Sequence, residues 1–110
     1  MSQQELFKDL NLEDIRKLID GGGYELVDVR EDWEWNKGHL PGARHVVLNA
    51  LLANPAAQKI RDRTIFVCHT GERSSVASEM ALALGTKDVV NFRGGTKAWR
   101  DAGLPLEITP

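Results

Sequence analysis

Short apolar runs alternate along the chain with segments whose apolar residues recur at helical spacing. The apolar runs that predict buried strands lie at Tyr24–Val29, Arg44–Val47, Thr64–Cys68 and Val89–Phe92. Thr64–Cys68 gives the strongest of these signals, because β-branched and aromatic residues dominate it. The alternation of strands and helices predicts an α/β fold in which strands connected by a helix pair in parallel.

One helix is predicted before the strongest strand and one after it. The first, near residues 12–20, follows Asn11, which stands at an N-cap position with Asp14 three residues later. Its apolar face consists of Leu12, Ile15, Leu18 and Ile19, and the glycines at 21–23 end it. The second helix is predicted over Ser74–Leu84. The apolar residues that recur at helical spacing in it are Val76, Met80 and Leu84.

A final helix is predicted after the last strand. Gly94–Gly95 precedes it, and Thr96 is its expected cap. Ala98 and Trp99 are expected to pack it against the core. The residues that close it are Gly103 and Pro105.

Composition and charge exclude several classes of protein. The 110 residues, 42% hydrophobic and 27% charged, are typical of one soluble domain spanning 1–110. A net charge of -2 gives no general attraction to nucleic acid or anionic lipid, so neither is an expected partner. The chain has no apolar run long enough to span a bilayer, and Met1–Gln4 lacks the features of a secretory signal. We therefore expect a cytoplasmic protein that does not bind membranes.

The single cysteine, Cys68, limits the redox chemistry of the chain. One cysteine cannot form an internal disulfide, a CxxC pair or a four-cysteine zinc site, and we expect neither a metal nor a cofactor. Cys68 ends the strongest predicted strand, and open α/β sheets bind ligands at the carboxyl ends of their strands. The sequence therefore predicts a site at Cys68.

The loop from Cys68 to Ser74 has the residue types that stabilise a sulfur anion. A short loop that enters a helix can direct several backbone N–H groups to one point, where the helix dipole adds positive potential. Gly71 allows the tight turn, Thr70 and Ser74 offer hydroxyl donors, and Arg73 adds a full positive charge. These features favour a nucleophilic thiolate at Cys68. The alternative is a buried cysteine that only fills the core.

Two further residues of the loop are expected to lie away from the sulfur. The position of His69 next to Cys68 directs its side chain away from the centre of the loop, so a direct role is not the favoured interpretation. Glu72 would reduce the positive potential that an anion needs, so we expect its carboxylate to face solvent.

Three segments in this order resemble the rhodanese, or sulfurtransferase, family. The segments are Leu26–Glu31 continuing to Glu34 and Gly38–Ala43, then Cys68–Ser74, then Gly94–Trp99 followed by Gly103–Pro105. Together they cover most of the chain, and their combination at single-domain spacing is specific.

The resemblance implies a three-layer fold with a central parallel sheet of about five strands and helices on both faces, completed by a first strand near Leu6–Leu10. It also implies ping-pong transfer of sulfane sulfur, in which Cys68 is the catalytic residue and carries a persulfide. Thiosulfate or a persulfide is the implied donor, and cyanide, a thiol or a dithiol protein is the acceptor. The loop residues implied to bind substrate are His69, Thr70, Gly71, Glu72, Arg73 and Ser74.

Two other functions remain open at this point. One is a sulfur relay that passes persulfide between proteins with little activity on thiosulfate, which the acidic Glu72 slightly favours. The other is a phosphatase or arsenate reductase, whose related loop has five residues between cysteine and arginine. Only four residues separate Cys68 from Arg73 here, which favours sulfur transfer. Without a second cysteine, the acceptor must come from outside the chain.

The remaining motif residues are interpreted as structural. Asp28 and Arg30 are expected in a salt bridge, with Glu31 or Glu34 as the partner of Arg30. His39 lies in a turn rich in glycine and proline, where it is expected to bind backbone carbonyls. The two tryptophans that could form an exposed rim for a protein partner are Trp33 and Trp35, and packing is expected for one of them.

Overall fold

The computed structural model describes residues 7–109, which form one parallel sheet with helices on both faces. The strands are β1 Lys8–Leu10, β2 Glu25–Asp28, β3 Arg44–His45, β4 Thr64–Val67 and β5 Val89–Phe92. The helices are α1 Leu12–Gly21, α2 Asp32–Asn36, α3 Leu48–Ala53, α4 Pro55–Gln58, α5 Glu72–Ala83 and α6 Gly95–Asp101.

The strand order determines where a ligand can bind. The order is β1-β5-β4-β2-β3, and every pairing is parallel. The chain leaves β4 towards β5 on one side and leaves β2 towards β3 on the other. In open sheets of this kind the crevice lies at the carboxyl ends of two strands whose connections diverge. These are the ends of β2 and β4, and Cys68 directly follows β4.

The sheet separates two apolar cores. Phe66 and Val29 pack with the buried face of α5 and with Leu51 of α3 on one side. Ile65, Val90 and Phe92 pack with α1 and α6 on the other side, where Trp99 is buried as expected. The central strands are buried on both faces, which is why they are continuous apolar runs in the sequence.

The predicted strands and the predicted helices at α1, α5 and α6 are confirmed to within a few residues. Asn11 caps α1, and its side chain accepts a hydrogen bond from the N–H of Asp14 at 3.0 Å. The predicted first strand is present as Lys8–Leu10, whereas Leu6 and the Met1–Gln4 segment lie outside the described residues.

The face that α5 buries differs from the one its apolar pattern indicates. Val76 and Leu84 are 42% and 62% exposed, and Met80 is only partly buried. The buried residues of α5 are Ser74, Ala77, Ser78 and Ala81. Small side chains let the helix lie close to β4 and β5, which outweighs the burial of the larger apolar residues.

Three short helices and one cap depart from the predictions. Helices α2, α3 and α4 have 5, 6 and 4 residues, too few to show a helical period in the sequence. Thr96 does not cap α6, because Gly94 occupies the N-cap position. The Thr96 hydroxyl instead donates to the Cys68 carbonyl oxygen at 3.3 Å.

In the part of the chain that the structure describes, no helix is both long and apolar enough to cross a bilayer.

Candidate active site

The sulfur of Cys68 lies at the start of α5, at the carboxyl end of the central strand β4. Cys68 is 1% exposed. Its Sγ accepts hydrogen bonds from the N–H of Gly71 at 3.1 Å and the N–H of Ser74 at 3.3 Å, and the Ser74 hydroxyl lies 3.3 Å away. Such donors stabilise an anion more than a neutral thiol, and the dipole of the 12-residue helix acts in the same direction.

Contacts with the segment after β5 fix the backbone of this loop. The carbonyl oxygens of Cys68 and His69 accept hydrogen bonds from the N–H groups of Thr96 and Lys97, at 2.9 and 3.1 Å. These carbonyls therefore point towards α6, while the later N–H groups of the loop point towards the sulfur. A Cβ atom at Gly95 would lie 2.3 Å from the His69 oxygen, so only glycine allows this approach.

Gly71 meets a similar restriction at the turn itself. Its φ angle is 99°, and a Cβ atom there would lie 2.4 Å from the carbonyl oxygen of Arg93. Glycine is required at this position both for the backbone conformation and for the close packing. The predicted role of Gly71 in closing the loop thus has a direct geometric basis.

The structure divides the predicted loop residues into those that contact the sulfur and those that do not. Ser74 and Gly71 contact it. Thr70 donates instead to the carboxylate of Glu72, which is exposed to solvent as expected, and this bond lowers the pKa of Glu72. His69 is half-buried and lines a neighbouring cleft.

Arg73 forms a bidentate ion pair with Glu34 of α2. Its Nη1 and Nη2 lie 2.7 and 2.9 Å from Oε1 and Oε2 of Glu34. The Arg73 guanidinium lowers the pKa of Glu34 from 4.5 to about 2. Glu34 in turn raises the pKa of Arg73, and Cys68 is close enough to make a smaller electrostatic contribution. The charge expected to bind an anion is therefore already paired within the protein.

Comparison with known proteins assigns this arrangement to a family. A family model described as a rhodanese-like domain matches residues 11–102, which include the Cys68 loop and the Gly94–Gly95 segment. The chain belongs to the rhodanese-like domain family.

Relatives of this rhodanese-like domain include proteins with two kinds of name. The thiosulfate sulfurtransferase GlpE of Shewanella oneidensis is 31% identical over 97 residues, covering 87% of this chain and 95% of GlpE. YrkF of Bacillus subtilis, whose name describes a sulfur carrier, is 29% identical over 92 residues. That match covers 83% of this chain, and the chain spans half the length of YrkF.

A solved structure of a sulfurtransferase has the same fold as this chain. The human single-domain sulfurtransferase TSTD1 has a TM-score of 0.74 and 27% identity, with coverage of 84% of this chain and 95% of the human chain. The chain is thus similar both to sulfurtransferases and to a protein named as a carrier.

A buried ion pair supports the end of β2 in this rhodanese-like domain. Arg30 pairs with Asp28, with Nη2 and Oδ2 2.9 Å apart, and its Nη2 also donates to the Gly38 carbonyl oxygen at 2.8 Å. The expected salt bridge is present, but the expectation that Arg30 pairs with Glu31 or Glu34 is wrong. Asp28 is the buried last residue of β2, two positions before Arg30, and a buried carboxylate needs a cation, whereas Glu34 is held by Arg73.

The two tryptophans of α2 differ as predicted. Trp35 stacks with both His39 and His45, with its ring centroid 3.5 and 4.6 Å from theirs and the rings within 4° of parallel. His39 is buried and structural, because its Nδ1 lies 3.1 Å from the Leu40 carbonyl oxygen and its Nε2 contacts Thr109. Trp33 is 61% exposed.

A cleft of about 260 Å³ lies beside the loop, between α2 and α6. Trp33, Lys37, His69 and Arg100 are among the residues that line it. Within residues 7–109, neither Lys37 nor Arg100 has a carboxylate within 4.0 Å, in contrast to Arg73. The cleft therefore has two cations without a carboxylate partner among the described residues, Lys37 and Arg100, beside the paired Arg30 and Glu34.

Sequence reasoning did not assign two residues that support the site. Glu34 is the partner of Arg73, although 39 positions separate them. Asn91 of β5 is buried and donates to the Gly71 carbonyl oxygen at 3.3 Å. A polar residue inside the apolar run Val89–Phe92 is the signal that could have identified Asn91.

The described residues contain no group of three or more His, Cys, Asp or Glu arranged to hold a metal ion.

Proposed function

We propose that this chain is a sulfurtransferase that carries sulfane sulfur as a persulfide on Cys68. The observation that supports this most directly is the set of donors around Sγ, two N–H groups and one hydroxyl at 3.1 to 3.3 Å. A site of this kind stabilises an anionic sulfur, which is both the nucleophile and the persulfide product.

The reaction proposed has two steps. The Cys68 thiolate attacks the outer sulfur of thiosulfate, the sulfur–sulfur bond of thiosulfate breaks, and sulfite leaves with the bonding electron pair. The product is the Cys68 persulfide anion. A cyanide ion or an external thiolate then attacks the terminal sulfur, takes it as thiocyanate or a new persulfide, and releases the Cys68 thiolate. A cytoplasmic setting would supply reduced thiols as acceptors.

The ion pair of Arg73 with Glu34 affects how well the site attracts thiosulfate as a sulfur donor. Thiosulfate is a dianion, and Arg73 uses two of its N–H groups on Glu34 instead of leaving them free. Among residues 7–109, Lys37 and Arg100 line the neighbouring cleft and have no carboxylate within 4.0 Å, so the proposal assigns the attraction of thiosulfate to that cleft. The same pairing disfavours a phosphatase, in which the arginine of the loop must hold the phosphoryl group.

A persulfide relay is the second candidate, and the Arg73–Glu34 pair is the observation that favours it. A loop whose arginine is neutralised attracts a dianionic donor less than a donor of lower charge. The similarity to YrkF supports this candidate as well.

Comparison of wild-type protein with Cys68→Ser tests the proposal. We expect the variant to lose transfer from both thiosulfate and a persulfide donor and to keep the circular dichroism and melting temperature of the wild type, since oxygen is close in size to sulfur. Ser74→Ala is the matched control, because it removes the hydroxyl near Sγ and leaves both N–H donors; it should keep part of the activity. Full turnover in Cys68→Ser would refute the proposal. Transfer from the persulfide but not from thiosulfate in the wild type would favour the relay.

A further inference from the structure

Asn91 is a polar residue buried in the middle of the sheet. It is 3% exposed and lies between Val90 and Phe92 on β5, which is paired with both β1 and β4. Its Nδ2 donates to Asp9 Oδ1 at 3.0 Å and to the Gly71 carbonyl oxygen at 3.3 Å. Its Oδ1 is buried and has no hydrogen-bond partner among residues 7–109.

The two acceptors fix the orientation of this amide. If the amide were rotated by 180°, its oxygen would face the Asp9 carboxylate and the Gly71 carbonyl, neither of which can donate. The observed orientation satisfies Nδ2 and leaves Oδ1 without a donor. A buried acceptor without a partner destabilises a fold. For the stability of the sheet alone, an apolar side chain of the same shape would serve as well or better.

The benefit of Asn91 lies in the residue it holds. The N–H of Gly71 is 3.1 Å from the sulfur of Cys68, and the carbonyl oxygen of the same residue accepts from Asn91. The Arg93 carbonyl oxygen, in the residue directly after β5, would lie 2.4 Å from a Cβ atom at Gly71, so Asn91 and Arg93 both approach this glycine. The Gly71 carbonyl oxygen also accepts from the N–H of Ser75 in the first turn of α5, at 3.0 Å. The contacts from Asn91 and Arg93 add to this bond in holding the glycine whose N–H faces the sulfur.

We infer that Asn91 is a positioning residue for sulfur transfer, acting through Gly71 on Cys68. This inference rests on the proposed function of Cys68. Asn91 then affects activity and stability in opposite directions. Its side chain improves the donor geometry at the sulfur, which raises activity, and it weakens the core, which lowers stability. A residue with a purely structural role would not show this opposition.

The test is Asn91→Leu, which keeps the branched shape at Cγ and removes both polar atoms. We expect kcat for sulfur transfer from thiosulfate to fall about tenfold, the effect of weakening one hydrogen bond to a charged group by about 1.4 kcal/mol. The KM for thiosulfate should stay within twofold, because the cleft is unchanged. The melting temperature should stay the same or rise. Asn91→Thr is the second variant, since a β-branched residue suits a strand and its hydroxyl is too short to reach Gly71.

Thr64→Val is the matched control. Thr64 is a fully buried polar residue on the neighbouring strand, and its hydroxyl donates to the Arg61 carbonyl oxygen at the end of the sheet away from Cys68. We expect this variant to keep the wild-type kcat. An unchanged kcat in both Asn91 variants would overturn the inference. It would also be overturned if kcat fell only together with stability and fell equally in Thr64→Val.

A separate readout distinguishes this inference from the proposed function. The rate at which iodoacetamide alkylates Cys68 measures the reactivity of the thiol and needs no sulfur donor. If the wild type transfers no sulfur but alkylation slows about tenfold in Asn91→Leu, the positioning role stands and the proposed reaction fails. If the wild type transfers sulfur and both kcat and alkylation are unchanged in Asn91→Leu, only the positioning role fails.

Discussion

Arg73 and Glu34 form two parallel hydrogen bonds, 2.7 and 2.9 Å long, that join the start of α5 to α2. Arg73 belongs to the Cys68 loop, and the two charges of the pair cancel. It therefore contributes to the shape of the site more than to its net charge. In the part of the chain that the structure describes, the neighbouring cleft has two cations without a carboxylate within 4.0 Å, Lys37 and Arg100.

The Arg73–Glu34 pair predicts a stability that depends on pH. The pKa of Glu34 is about 2 in the folded protein and 4.5 without the pairing, so the stabilisation is complete above pH 4.5 and disappears as the pH falls towards 2. Because the Arg73 side chain is 35% exposed, we expect Glu34→Gln to lose about 1 to 2 kcal/mol at pH 7.

Urea denaturation of wild type and Glu34→Gln between pH 7 and pH 2.5 measures this effect. The difference between the two proteins should be largest near neutral pH and should shrink as the pH falls below about 4.5. Asp101→Asn is the control, since Asp101 belongs to an exposed pair with Lys97 and should change stability little. A difference that stays constant across this range would contradict the assignment.

Gly71→Ala is expected to abolish most of the activity. A methyl group at Gly71 would lie 2.4 Å from the Arg93 carbonyl oxygen, so the loop must move and withdraw its N–H from the sulfur. Displacement of one such donor in an anion site lowers kcat by roughly a hundredfold or more. Steady-state kinetics with thiosulfate and cyanide measure this.

Gly22→Ala separates the effect of the clash from that of backbone conformation. Gly22 also has a positive φ, 75°, but a Cβ atom there would have no neighbour within 4 Å. It lies at the end of α1, away from the sulfur. Its ψ angle is 172°, in a region that residues other than glycine rarely adopt, so this variant should lose about 1 to 3 kcal/mol of stability and keep its kcat. Equal activity in the two variants would show that the contact with Arg93 does not position the loop.

We predict that the cations lining the cleft, Lys37 and Arg100, attract thiosulfate. Arg100→Gln and Lys37→Gln should each raise the KM for thiosulfate about threefold to tenfold and leave kcat unchanged, because each removes one charge that acts over a distance on a dianion. Lys17→Gln on α1 is the control and should have no effect. Initial rates over a range of ionic strengths provide the measurement. An unchanged KM in both cleft variants would mean that thiosulfate approaches by another route.

The parts of the fold that the sequence predicts are those with a repeated local pattern. The central strands are apolar throughout because both faces are buried, and the start of α1 is visible from its Asn11 cap. Helices α2 to α4 are too short to show a period. The buried face of α5 does not follow from its larger apolar residues, because small residues such as Ala77 pack closely against the sheet, which a count of apolar residues does not detect.

The predictable parts of the site are likewise local. The order of residues in the Cys68 loop indicates donors around a sulfur, and the N–H groups of Gly71 and Ser74 face Sγ, whereas the Thr70 hydroxyl, also expected to do so, bonds to Glu72. The pairing of Arg73 with Glu34 and the contact of Asn91 with Gly71 join residues 39 and 20 positions apart. Such contacts depend on the strand order and have no local signature.

The intact mass of the protein after incubation with thiosulfate tests the central claim most directly. The account predicts a gain of one sulfur atom that maps to Cys68 and disappears when a reducing thiol is added. The Cys68→Ser protein, treated in the same way, should show no gain. If wild-type protein gains no sulfur from thiosulfate or from a persulfide donor while Cys68 remains open to alkylation, the account of Cys68 as a sulfur carrier is contradicted.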